Sequence, residues 1–128
     1  MDKVQKEVLE FHKAFDILVN EVPTLVDNDV NILRLRLIKE EVNELEEAIA
    51  EKDLAKIADA IADTLYVVYG TAISFGIDME PISEEVQRSN MTKVGGHKDE
   101  YGKWIKPDTY SPANLVPILV NQMFEAGK

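Results

Sequence analysis

Cysteine is absent from this chain of 128 residues, which excludes both a disulfide framework and a thiolate zinc site. Thiol-free chains fit a reducing compartment, so a cytoplasmic location is expected. Long apolar runs are also missing: no stretch approaches the roughly 18 residues that a membrane span requires. The opening MDKVQKEVLEFHKAF carries charge throughout, so neither a signal peptide nor a membrane partner is expected. Basic residues are scarce, 14 Lys and Arg against 24 Asp and Glu for a net charge of −10. Such a surface argues against nucleic acid as a partner. A small anionic ligand stays compatible if metal ions and a few lysines reverse the field locally. No segment alternates convincingly with period two, and neither a repeat nor a low-complexity tract occurs.

What is present is helical periodicity. Val4, Val8, Phe11, Phe15, Leu18 and Val22 recur at steps of three and four, predicting an amphipathic helix over residues 3–22 that ends at Pro23. Asp29 is the expected N-cap of a second helix reaching about Ala50. Asp53 caps a third that continues to Phe75, with Gly76 as its C-terminal cap. Ser83 opens a short fourth helix ending near Asn90. Residues 91–110, with Gly95, Gly96, Gly102 and Pro107, read as a long loop, and Ser111-Pro112 opens a last helix to about Glu125. The expected fold is a single all-α domain over residues 1–128.

The chemistry lies in two acidic clusters, Glu40-Glu41-Val42-Asn43-Glu44 and Asp59-Ala60-Ile61-Ala62-Asp63. On a helical wheel Leu35, Ile38, Val42, Leu45 and Ile49 form the stripe expected to face the core. Glu46 and Glu47 fall on the solvated side. Glu40, Glu41 and Glu44 do neither, bordering a second apolar sector with Leu33, Leu37 and Ala48. The third helix is apolar nearly all round, and Asp59 and Asp63, four residues apart, lie one above the other on it. A solvent strip, or ion pairs with Arg34 or Arg36, would accommodate these aspartates without a ligand. Carboxylates converging from neighbouring helices instead suit Mg²⁺, or Mn²⁺, which relieves the cost of crowding and burying them. Because that third helix is short of partners in one small chain, a homo-oligomer is expected.

Glu40-Glu41-x-x-Glu44, followed by an acid at Asp63 with Leu65-Tyr66 behind it, resembles the all-α nucleoside triphosphate pyrophosphohydrolases. That superfamily includes the MazG-like enzymes, the dimeric dUTPases and phosphoribosyl-ATP pyrophosphohydrolase. Ser89-Asn90-Met91-Thr92-Lys93, Lys106-Pro107 and Tyr110-Ser111-Pro112 resemble its phosphate-side segments. Tyr66-Val67-Val68-Tyr69-Gly70-Thr71 resembles the bacterial MazG-like branch with dUTPase-like activity. One departure stands out: the usual Glu-x-x-Asp would place its glutamate at Ala60, with Asp59 one residue earlier as the substitute.

The resemblance implies a helical bundle whose four-helix core is completed by dimerisation, as a homodimer or homotetramer. It implies Mg²⁺-dependent cleavage of a (deoxy)nucleoside triphosphate between the α and β phosphates, giving a monophosphate and pyrophosphate. Glu41, Glu44, Asp59 and Asp63 are the implied metal ligands, and Glu40 the group that orients or deprotonates water. Asn90, Lys93, Lys106 and Tyr110 are expected on the phosphate side. Phe11, His12 and Phe15 would form a wall for the base, unless the two phenylalanines are only core and His12 only a satisfied side chain. Phosphoribosyl-ATP hydrolysis in histidine biosynthesis is the alternative with the same chemistry. A non-catalytic acidic module that binds metal or a partner protein is the alternative of another class.

Overall fold

A computed structural model describes residues 1–125 of the chain, and among them the regular structure is almost wholly helical. The elements run α1 (Lys3–Ala14), α2 (Asn28–Glu51), α3 (Leu54–Phe75), α4 (Met79–Met91), β1 (His97–Lys98), β2 (Trp104–Ile105) and α5 (Val116–Glu125). The chain divides into two compact units, residues 1–77 and the remainder from Asp78 onward. Among the described residues no single helix is long and apolar enough to cross a membrane.

In the first unit α2 and α3 form a tight helical hairpin, with α1 against α3. Lys52 takes a left-handed conformation (φ 56°) and Asp53 accepts from the Lys56 N–H at 3.2 Å, so one helix ends and the next begins within two residues. Gly76 (φ 71°) closes α3 as the sequence predicts; a side chain there would collide with the Val22 carbonyl. Helix α1 stops at Ala14 rather than Val22, because Asp16 turns left-handed (φ 56°). Residues 17–24 then run along the end of α3: the Asn20 and Thr24 N–H groups donate to the Ile73 and Phe75 carbonyls, and Asn20 Nδ2 donates to Ser74 O at 2.7 Å. Leu18 and Val22 therefore continue a helical spacing without being helical.

The buried centre of this unit is small: Val8, Ala48, Ala60, Ala72 and Ile73, together with the polar Gln5, His12, Arg34 and Ser74. The stripe expected to form the main core contact is not buried. Leu35, Val42 and Ile49 remain 56, 48 and 56% exposed, because α2 approaches α3 through small residues at Ala48 and Ala60 and leaves that apolar face uncovered.

In the second unit Asp78, not Ser83, caps α4, accepting from Glu80 N at 3.1 Å. Residues 97–105, expected to be loop, make a two-stranded antiparallel hairpin pairing His97 with Ile105 and Lys98 with Trp104, too short to show period two. Helix α5 starts at Val116 rather than at Ser111-Pro112. The preceding backbone is held by side chains: Ser111 N donates to Thr92 Oγ1, Ser89 Oγ donates to Ser111 O, and Asn114 N donates to Glu85.

Candidate functional site

The hairpin between α2 and α3 sets the site. Glu41 and Glu44, a turn apart on α2, meet Asp63 on α3, and one carboxylate oxygen from each lies within 4.8 Å of the others. Burial, a hydrogen bond with Glu44 and the negative charges of Glu44, Asp63 and Glu40 push the Glu41 carboxyl above its ordinary range. Burial, then Asp59 and Glu44, push Asp63 up as well. Glu41 Oε2 is buried and has no hydrogen-bond partner. Ligand oxygens about 2.1 Å from Mg²⁺ stand at most about 4.2 Å apart, so small side-chain adjustments would close this trio around one ion. An orphaned carboxylate oxygen amid like charges fits a divalent cation better than it fits a structural role.

The other two acids lie outside this trio, although the charge of Asp59 still reaches Asp63. Asp59 lines a depression with Glu47, Glu51 and Lys56 that touches the trio only through Glu44. Ala60, at the position of the family's usual glutamate, is buried where the two helices meet. Glu40 lines a third depression beside Leu35, Arg36 and Asn43, although its charge still reaches Glu41.

Glu41 and Asp63 also form one end of a hollow of about 400 Å³, whose other walls include Phe11, His12, Arg34 and Tyr66. Phe11 sits edge-on to Tyr66 at 5.4 Å between ring centroids and against Phe15 at 4.4 Å. The aromatic side chains of α1 thus share a cavity with the carboxylates, and Phe15 backs that wall from outside. His12 is buried and not a surface residue; its Nδ1 lies 3.2 Å from Leu18 O. Arg34 does not pair with an aspartate. It is buried with Nε donating to Thr71 Oγ1 at 3.2 Å and Nη2 to Val67 O at 2.7 Å. The sequence offered it only as an ion-pair partner of the aspartates, since nothing in Leu33-Arg34-Leu35-Arg36 says which arginine turns inward.

In the second unit the four residues expected at phosphates come together. Lys93 Nζ donates to Asn90 Oδ1 at 2.9 Å, and Lys106 and Lys93 lie 4.5 and 6.0 Å from the Tyr110 ring centroid. Two lysines around one tyrosine make a local positive spot on an acidic protein. Trp104 anchors the hairpin, its Nε1 donating to Lys93 O at 2.8 Å.

Residues 8–90 match the model of a family described as phosphoribosyl-ATP pyrophosphohydrolase, part of the MazG-like nucleoside triphosphate pyrophosphohydrolase superfamily. An uncharacterized protein of Acanthamoeba polyphaga mimivirus is 49% identical over 69 residues, 54% of this chain. That match spans about a quarter of the viral protein's length, 24%.

Proposed function

The chain belongs to the phosphoribosyl-ATP pyrophosphohydrolase family, and from that premise we propose that it hydrolyses a (deoxy)nucleoside triphosphate between the α and β phosphates in a Mg²⁺-dependent reaction. The observation that carries this reading is the trio Glu41, Glu44 and Asp63, with its orphaned Glu41 oxygen, at the end of an aromatic-walled hollow. Glu41, Glu44 and Asp63 would hold the metal, with Asp59 an outer acid of the cluster. A bound divalent ion supplies charge neutralisation and an acidified water. Glu40, next to a ligand, is the residue assigned to orient or deprotonate the attacking water, and Glu40→Gln tests it. Water adds to the α-phosphorus, the bond to the bridging oxygen breaks, and the monophosphate and pyrophosphate leave. Asn90, Lys93, Lys106 and Tyr110 are assigned to phosphate binding in the second unit, where a lysine acts as a point charge. A second copy of the chain would cover the exposed stripe Leu35, Val42 and Ile49 as a homodimer or homotetramer.

A house-cleaning role on dUTP or a related nucleotide is one substrate reading. Hydrolysis of phosphoribosyl-ATP is the other, favoured by the description of the matching family. Incubating the protein with the canonical and deoxy triphosphates and with phosphoribosyl-ATP, in Mg²⁺ and then in EDTA, separates them. Monophosphate-type product plus pyrophosphate in Mg²⁺ alone upholds the reading and identifies the substrate. Turnover of none would favour the non-catalytic module that binds metal or a partner.

A further inference from the structure

The contacts that hold α2 to α3 fall on both sides of the acidic trio. Toward the link between the helices, Ala48 and Ala60 are buried, and Lys56 Nζ pairs with Glu51 at 2.8 Å. Toward the open end of the hairpin the fastening is Arg34, two turns before Glu41. Its buried side chain reaches across to α3, Nη2 donating to Val67 O at 2.7 Å and Nε to Thr71 Oγ1 at 3.2 Å. Thr71 Oγ1 in turn donates to Val67 O at 2.9 Å. The hydroxyl proton is therefore committed, and its lone pairs are left for Arg34. Gly70 supplies the room: a side chain there would overlap Arg34 Nη2 and come 2.8 Å from His12 Nε2. Val67, Gly70 and Thr71 share one face of α3, beginning one turn beyond Asp63. Together they form a socket for a single guanidinium.

Such a socket constrains the helices in a way that the other contacts do not. Burial of Ala48 and Ala60 is apolar and therefore non-directional, and the exposed Lys56–Glu51 pair contributes little. A planar fork that donates to two acceptors is satisfied at one height and one rotation of its helix. A slip of one residue moves a helical side chain about 1.5 Å, whereas ligand distances in a metal site hold to about 0.2 Å. Mg²⁺, with its near-ideal octahedral geometry, is the strict case. We propose that Arg34 is a positioning residue for the trio. Its grip on Val67 and Thr71 fixes the height and rotation of α2 at which Glu41 and Glu44 meet Asp63. The proposal rests on the reading of that trio as a metal site, and Arg34 itself touches neither metal nor substrate.

Mn²⁺ affinity of the folded protein, read by electron paramagnetic resonance, separates this role from two others by its sign. Removing a positive charge from beside a cation site, taken alone, raises the affinity. Removing a purely structural contact lowers stability and leaves the affinity of the folded protein as it was. Loss of the grip lowers it. Arg34→Met is expected to weaken Mn²⁺ binding roughly tenfold or more, as loss of an outer-shell partner does. Arg34→Lys, which keeps the charge but not the fork, should weaken it too. Thr71→Val should weaken it by less, and Thr71→Ser should restore it. Affinity unchanged or raised in Arg34→Met, or native affinity in Arg34→Lys, would overturn the assignment. Should Arg34→Met not fold, the Thr71 pair decides, and equal affinity in Thr71→Val and Thr71→Ser overturns it. In metal-free protein, residual dipolar couplings should show α2 turned or tilted against α3 in whichever of Arg34→Met and Thr71→Val folds; native couplings there would also overturn it. Should the native protein bind no Mn²⁺, the metal reading falls, and the couplings still decide whether Arg34 sets the two helices.

Discussion

The two units of this chain treat their polar groups in opposite ways. In the second unit Arg88 and Glu85 on α4 answer each other. Arg88 bonds Glu85 twice and reaches Ser111 and the Pro112 carbonyl, while Glu85 also accepts from Asn114 N. These contacts hold the Glu85 carboxyl down at about 2, the Arg88 hydrogen bond first. In the first unit the acidic cluster is left wanting: Glu41 Oε2 has no hydrogen-bond partner, and Glu41 and Asp63 are pushed up rather than down. Satisfied networks stabilise a loop, whereas unsatisfied ones persist where an absent species completes them. On the proposed reading, that difference marks the acidic cluster of the first unit as the place where a cation would bind.

The largest effect that would break this contrast is at Glu44. Glu44→Ala should cut Mg²⁺-dependent turnover by more than roughly a hundredfold, beyond the typical loss of an outer-shell partner, with an unchanged circular dichroism spectrum. Retained activity would remove the trio from the metal site. Next is Gly70→Ala. It has no room beside Arg34 and His12, so urea denaturation should show a loss of about 1–3 kcal/mol, as for other overpacked interiors; unaltered stability would mean that these two side chains can yield.

The two units should also titrate with opposite sign. Glu41 and Asp63 have raised pKa values in the fold, so they bind more protons folded than unfolded. The stability of the metal-free protein attributable to them therefore falls as pH rises from the unfolded values of 4.5 and 3.8 through the raised ones. Mg²⁺ should cancel this fall, and Glu41→Gln should remove most of it, as read by melting temperature against pH. Glu85, depressed to about 2, contributes stability present above 4.5 and lost as pH falls toward 2. Glu85→Gln should abolish that acid limb alone; a shared pH profile in both variants would dissolve the distinction. The smallest effect is expected at Lys106→Ala, which should raise KM several-fold with kcat retained, since a single exposed point charge on phosphate contributes modestly. An unchanged KM would leave the lysine pair as part of the hairpin's scaffold.

Much of this was legible in the sequence. The bounds of α3 follow from Asp53 and Gly76; helical phase groups Glu40, Glu41 and Glu44 on one helix and Asp59 and Asp63 on the next, and the family resemblance implies that Glu41, Glu44 and Asp63 meet. Other features depend on contacts between distant residues. The spacing of Leu18 and Val22 mimics a helix that Asp16 has already ended, and only pairing with the end of α3 shows it. Ser111-Pro112 has helix-opening chemistry, yet Thr92 and Ser89 capture its backbone. Helical phase puts Asp59 and Asp63 on one face, yet only Asp63 joins the trio with Glu41 and Glu44. The burial of Arg34 is not legible beforehand, since arginine is ordinarily a surface residue and Gly70 and Thr71, far along the chain, make room for it.

The two-residue link at Lys52 and Asp53 has a consequence for how this lineage can vary. It acts as a phase lock. Adding or deleting one residue there would keep both helices, their apolar content and their caps nearly intact, yet rotate α3 by about 100° relative to α2. Asp63 would swing away from Glu41 and Glu44 while the protein still looked folded by every bulk measure. Length variation is therefore expected to collect in the segment between α1 and α2, or in the β1–β2 hairpin, and to spare this joint.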